Sequence, residues 1–144
     1  VADAAPRRGA GRAVLGVLLV LCGCGAPEDA PPRDAVQRYF AENNAAARRG
    51  PAAQRAFLAR TQHPDFADQL CDLNGSTVQL DPALSTLRPD PDFTPDGTPV
   101  RGEVWVVGVE VTVRQGGQIT GHQVGSQHLV LLDEQVRGFA PCPS

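Results

Sequence analysis

The chain has 144 residues and a mass of 15.2 kDa, enough for one domain and too short for two ordinary ones. Its formal charge is −3, from 13 basic and 16 acidic residues, so no basic stripe exists to neutralise phosphates and a nucleic-acid binder is excluded. A hydrophobic content of 42% excludes wholesale disorder. Every basic residue is Arg, and with abundant Ala, Gly and Pro this reads as the coding bias of a GC-rich bacterial genome.

Residues 1–23 read as a targeting segment. Arg7, Arg8 and Arg12 form a positive stretch, and residues 13–21 (AVLGVLLVL) form an uncharged apolar run of nine. A bilayer-spanning helix needs about 20 apolar residues, so this run reads as the apolar core of a signal peptide and not as a permanent anchor. It ends in Leu21-Cys22-Gly23-Cys24, which resembles the bacterial lipobox. The resemblance implies cleavage after Gly23 and a lipidated Cys24, since only a thiol can take the diacylglyceryl thioether. Cys22 is the competing acceptor, but Leu21 before it is a poor cleavage residue. The plainer alternative is an ordinary secretory peptide with incidental cysteines. Arg7-Arg8 also suggests twin-Arg export, although Gly9-Ala10-Gly11 replaces the apolar residues that should follow the pair.

The expected mature chain of 121 residues carries 10 Arg and 15 acids, a charge of −5. Attachment to the outer face of the cell membrane would then come from acyl chains, because anionic headgroups repel an acidic protein. Residues 24–33 comprise Cys24 and a Pro-rich tether (GAPEDAPPR), extended at roughly 3 Å per residue and holding the domain clear of the lipid.

From Asp34 the period becomes helical. Asp34 with Gln37 has capping-box spacing, and Val36, Tyr39, Phe40, Asn43 and Ala47 share one face on which only Asn43 is polar. Arg48 and Arg49 suit the negative C-terminal end, and Gly50-Pro51 stops the helix. Pro51 starts a second helix that buries Ala53, Phe57 and Leu58 or Thr61, ending before His63-Pro64. A short third helix from Pro64 buries Phe66, Leu70 and Leu73, and Asn74-Gly75 closes it.

Beyond Gly75 the period changes to 2. Val78 and Leu80 mark a short strand that breaks at Pro82 and resumes over 84–87, ahead of a Pro/Asp/Gly loop at 89–102. Residues 104–114 form the best strand, with Trp105, Val107, Val109, Val111 and Val113 on one face. Gly116-Gly117 turns the hairpin, 119–133 returns, 133–135 turns again, and 136–142 is a last strand. Helices followed by an antiparallel meander make the fold α+β, a single domain over 34–144.

The segments VWVVGVEVTVRQGG, HLVLLDEQ and VRGF, behind two or three helices, resemble the nuclear-transport-factor-two-like (SnoaL-like) cone, a domain often found in small bacterial lipoproteins. The resemblance implies helices packed on a curved sheet with a ligand inside. The family holds isomerases, hydrolases and non-catalytic binders, so it says little about activity. The loop at 89–102 departs from its pattern.

With Cys24 lipidated and Cys22 removed, Cys71 and Cys142 remain, and in an oxidising compartment they read as one disulfide. Asp92, Thr94, Asp96, Gly97 and Glu103 match calcium-loop spacing, yet Pro89 and Pro91 forbid the entering helix and a strand follows. His63-Pro64-Asp65 reads as a helix junction whose side chains satisfy free amides. If Gly116-Gly117 is a two-residue turn, Val111 faces His122, Val107 faces Ser126 and Trp105 faces His128. His122, Ser126 and His128 then line the inside of the cone with Trp105, Tyr39, Phe40 and Phe57, while a bulge of one residue would turn the three polar groups outward. The same register turns Val104, Val106, Leu129 and Leu131 outward as an apolar patch, to be covered by the tether, the loop or a second subunit.

No cofactor motif occurs. The expected function is non-catalytic binding of a small apolar ligand or an envelope partner. The alternatives are a cone-type isomerase or hydrolase with His122 or His128 as base, and a structural module that associates through its outer sheet face.

Overall fold

The computed structural model describes residues 31–142; the targeting segment, Cys24 and most of the tether lie outside the described residues. The first helix, α1, spans Arg33–Arg49 and buries Val36, Tyr39, Phe40, Asn43, Asn44, Ala46 and Ala47. Pro32 occupies its N-cap without a side-chain hydrogen bond, so the capping box does not form. Asp34 lies one step inside, where a carboxylate still favours the positive end of the helix. Gly50 ends α1 at φ 115°, a value that an L side chain resists, and Pro51 opens α2 (Pro51–Thr61) at its first turn. The third helical segment is a 3₁₀ turn, Pro64–Gln69, burying Phe66. His63 caps it, its Nδ1 accepting the Asp65 amide at 3.2 Å.

Four antiparallel strands follow in sequential order: β1 (Ser76–Pro89), β2 (Glu103–Gln115), β3 (Gln118–Leu132) and β4 (Gln135–Gly138). This is the expected α+β order, with β4 shorter than expected. Both hairpins turn on two residues of positive φ, Gly116-Gly117 and Asp133-Glu134. β1 runs through Pro82 but bulges, since only Val107 separates the β2 partners of Ala83 and Arg88. At the bulge Thr86 Oγ1 accepts the Gly108 amide at 2.8 Å and donates to the Ala83 carbonyl at 2.8 Å. A hydroxyl thus takes over the ladder bond that the bulge removes.

Helices and sheet enclose one core in which Tyr39, Phe40, Phe57, Val78, Leu80, Trp105, Val107, Val109 and Leu129 pack together. Three buried amides tie the helices to the outer edge of β1. Gln54 donates to the Val78 carbonyl at 2.6 Å and accepts its amide at 2.9 Å; Asn44 does the same for Leu80, at 2.9 Å each way. Asn43, the polar residue on the buried face of α1, joins Gln54 and the Val78 carbonyl at 2.9 and 3.1 Å. The amides act as a substitute strand at Val78 and Leu80, and Pro82 next along has no N–H to offer, so this stretch of the edge is blunted.

Candidate functional site

The β2–β3 ladder decides where the polar candidates lie. Next to the turn Arg114 faces Ile119, as a two-residue hairpin requires, but Val113 faces Gly121, leaving Thr120 without a partner. That one-residue bulge shifts the rest of the ladder: Thr112 faces His122, Gly108 faces Ser126, Val106 faces His128 and Trp105 faces Leu129. His122, Ser126 and His128 therefore sit on the face away from the helices, and the expected internal histidine site does not form. Tyr39, Phe40, Phe57 and Trp105 do come together, as packing: Tyr39 lies 5.5 Å from Phe40 and 5.3 Å from Phe57 between ring centroids, and Trp105 is 5% exposed. The Trp105 indole N–H has no hydrogen-bond partner among the described residues.

On the outer face each histidine finds a carboxylate. His122 Nε2 is 2.7 Å from Glu110, both side chains more than half exposed, a geometry worth little in water. His128 Nε2 is 2.9 Å from Asp90, and the Phe93 ring stacks on its imidazole at 3.7 Å and 10°. Ser126 shares this face, but no hydrogen bond joins it to His128 among the described residues. Neither imidazole has a hydroxyl or thiol within hydrogen-bond distance among the described residues.

Phe93 belongs to the loop at 89–102, whose fold answers two further expectations. Phe93 and Val100, with Phe139, pack over Val104, Val130 and Leu132, so the loop covers the apolar outer patch. The bulge has exchanged the members of that patch. Leu129, expected outside, is in the core, and Val130 and Leu132 take the outer face. An association through a bare outer face thus loses its ground. Asp92, Thr94, Asp96 and Glu103 do not assemble either, since among the described residues no three His, Cys, Asp or Glu side chains are placed to hold a metal ion.

The far end of the loop is pinned at the helix junction. Arg101 grips Asp65 with two hydrogen bonds of 3.3 and 3.0 Å, which holds the Asp65 carboxyl below its ordinary range and raises the guanidinium. His63 is fully buried, stacked on Phe139, with Nε2 2.8 Å from the Arg101 carbonyl. Since Nδ1 accepts the Asp65 amide, Nε2 carries the proton and donates to that carbonyl, so the junction reading of His63 and Asp65 matches their contacts. Arg55 pairs with Asp72 at 2.5 Å, which with the Asn74 amide keeps that carboxyl low; both side chains are exposed.

Two depressions stand out among those described. A small one of about 340 Å³ lies between α2 and residues 70–75, next to Cys71. A larger one of about 710 Å³ opens where the β1 bulge leaves β2, with Phe40, Ala41, Leu84 and Val109 as apolar walls and Asn44, Asp81 and Glu110 as polar groups. Sequence reading missed this second site because it depends on the bulge; the only signal was Pro82 interrupting the alternation. Cys71 and Cys142 form a disulfide with Cα atoms 5.7 Å apart, tying the end of the 3₁₀ segment to the chain beyond β4. No protein-family description, curated protein or solved structure matches the chain.

Proposed function

We propose that this chain is an exported, lipid-anchored, non-catalytic binding domain that takes an apolar group, of a small ligand or an envelope partner, into the depression at the β1 bulge. The observation that carries the reading is the Cys71–Cys142 disulfide, because such bonds persist outside the reducing cytosol. The depression supplies the binding half of the reading: apolar walls with a few polar groups are what ligand sites usually offer. The order of helices, long hairpin and last strand supports the cone-type resemblance, with the interior here occupied by Tyr39, Phe57 and Trp105.

Two measurements test the proposal. Cys24→Ala should leave an uncut or unlipidated chain that no longer partitions into detergent, while Cys22→Ala partitions as the parent does. A Cys24→Ala chain that is still matured and membrane-bound overturns the anchor. For binding, an apolar fluorescent probe should bind the parent and lose about tenfold in affinity on Leu84→Asp, the scale of one lost side-chain burial. Unchanged probe binding overturns the depression as the site.

A further inference from the structure

The register of the sheet sets two carboxylates face to face. Asp81 of β1 lies directly opposite Glu110 of β2, and Glu110 lies opposite Val124 of β3, a row of three across the face that carries His122. Opposed side chains on neighbouring strands stand about 4.5–5.5 Å apart at Cβ, and like charges there destabilise the pairing. Among the described residues no Arg pairs with either carboxylate. Asp81 accepts from the neutral amides of Asn44 at 3.3 Å and Gln79 at 3.0 Å, and Glu110 meets His122 at 2.7 Å. Arg33, which reaches this part of β1, donates to the Leu84 carbonyl at 2.9 Å instead.

Both carboxylates line the depression beside the β1 bulge, and none of its other lining residues carries a charge. Val124 lines it too, and at 81% is the most exposed of the large apolar side chains described. The depression thus joins apolar walls to an acid pair whose mutual repulsion no basic side chain of the described chain relieves.

We propose that the ligand of this depression is a small apolar molecule bearing one ammonium or guanidinium group, with the cation between Asp81 and Glu110 and the apolar part against Leu84, Val109 and Val124. The inference rests on the depression being the binding site. One cation can donate to both carboxylates at their cross-strand spacing, replacing a repulsion by two charge-assisted hydrogen bonds. An anion would bring a third negative charge to the same place, and a bare inorganic ion would leave Leu84 and Val124 uncovered. A volume of about 710 Å³ falls within the range of small-molecule sites. Because the carboxylates stand in water, their charge selects among ligands more than it adds to affinity.

Naphthylethylamine, the neutral alcohol naphthylethanol and the anion naphthylacetate share one apolar body and differ in charge, and naphthalene fluorescence anisotropy reads their binding to the full chain. The amine should bind about tenfold more tightly than the alcohol, and the anion more weakly than either. Asp81→Asn and Glu110→Gln should each cut the affinity for the amine about three- to tenfold and leave that for the alcohol within about twofold; raised salt should weaken the amine alone. Both variants remove a like-charge opposition, so their melting temperatures should match or exceed that of the parent. Leu84→Asn adds no charge and should weaken amine and alcohol together. Equal binding of all three probes, each weakened by Leu84→Asn, keeps the depression as the site and overturns the cationic ligand. Indifference of all three to Leu84→Asn overturns the depression and the proposal with it. Full displacement of the amine by millimolar calcium or tetramethylammonium would assign the carboxylates to a bare cation and also overturns the proposal.

Discussion

Tyr39 shows what burial does to a single side chain. It is the chain's one tyrosine, and its phenol packs against Gly138, where an added methyl group would fall on the hydroxyl and the ring. Burial pushes its pKa up to about 12, with a hydrogen bond to Thr61 acting weakly the other way. The unfolded phenol ionises near 10, so the folded state holds a proton that the unfolded state has lost between those values. Stability is therefore full below about pH 10 and falls as pH rises through about 12, by an amount on the order of 3 kcal/mol. In the folded chain phenolate absorbance should appear only near pH 12, about two units later than in the unfolded chain, and Tyr39→Phe should remove this part of the alkaline loss. Phenolate forming near pH 10 in the folded chain would contradict the burial.

At the scale of the element, the loop at 89–102 acts as a cover for the sheet. Its first turn is held by the Asp90 amide on the Val104 carbonyl at 2.9 Å and by Asp90 on His128; its end is held by Arg101 on Asp65. Phe93 joins the two roles, stacked on His128 and packed over Val104, Val130 and Leu132. Phe93→Ala should cost about 2 kcal/mol, below the loss of a fully buried phenylalanine, and should raise both apolar-dye binding and proteolysis within the loop. A variant with the parent's melting temperature and protease resistance would show that the loop is held by its polar ends alone. Composition marked this segment only as a loop, because Pro91, Pro95 and Pro99 break up longer helix and strand but do not say where two half-buried apolar residues will dock.

For the whole molecule the disulfide matters most. It closes a sequence separation of 71 residues and ties the 3₁₀ segment to the chain beyond β4, the strand with the shortest ladder. Replacing Cys71 and Cys142 by Ala should cost about 3–4 kcal/mol, seen as a lower melting temperature for reduced or doubly substituted chain than for oxidised chain. Equal melting of the oxidised and reduced forms would mean that the ends are held without it. The pairing was legible from the sequence by elimination among four cysteines. So were both helices, the α+β order and the Gly116-Gly117 turn, because period, Pro and Gly act locally. The facing of β3 was not. Residues 129–132 are apolar at both parities, so alternation there accepts either register, and one extra residue at Thr120 selects between them. Only the assembled sheet makes that choice. With the bulge, Leu129 enters the core, Val130 and Leu132 go under the loop, and His122 and His128 keep their water and their carboxylates. Without it, two imidazoles would have to lose their water inside the core.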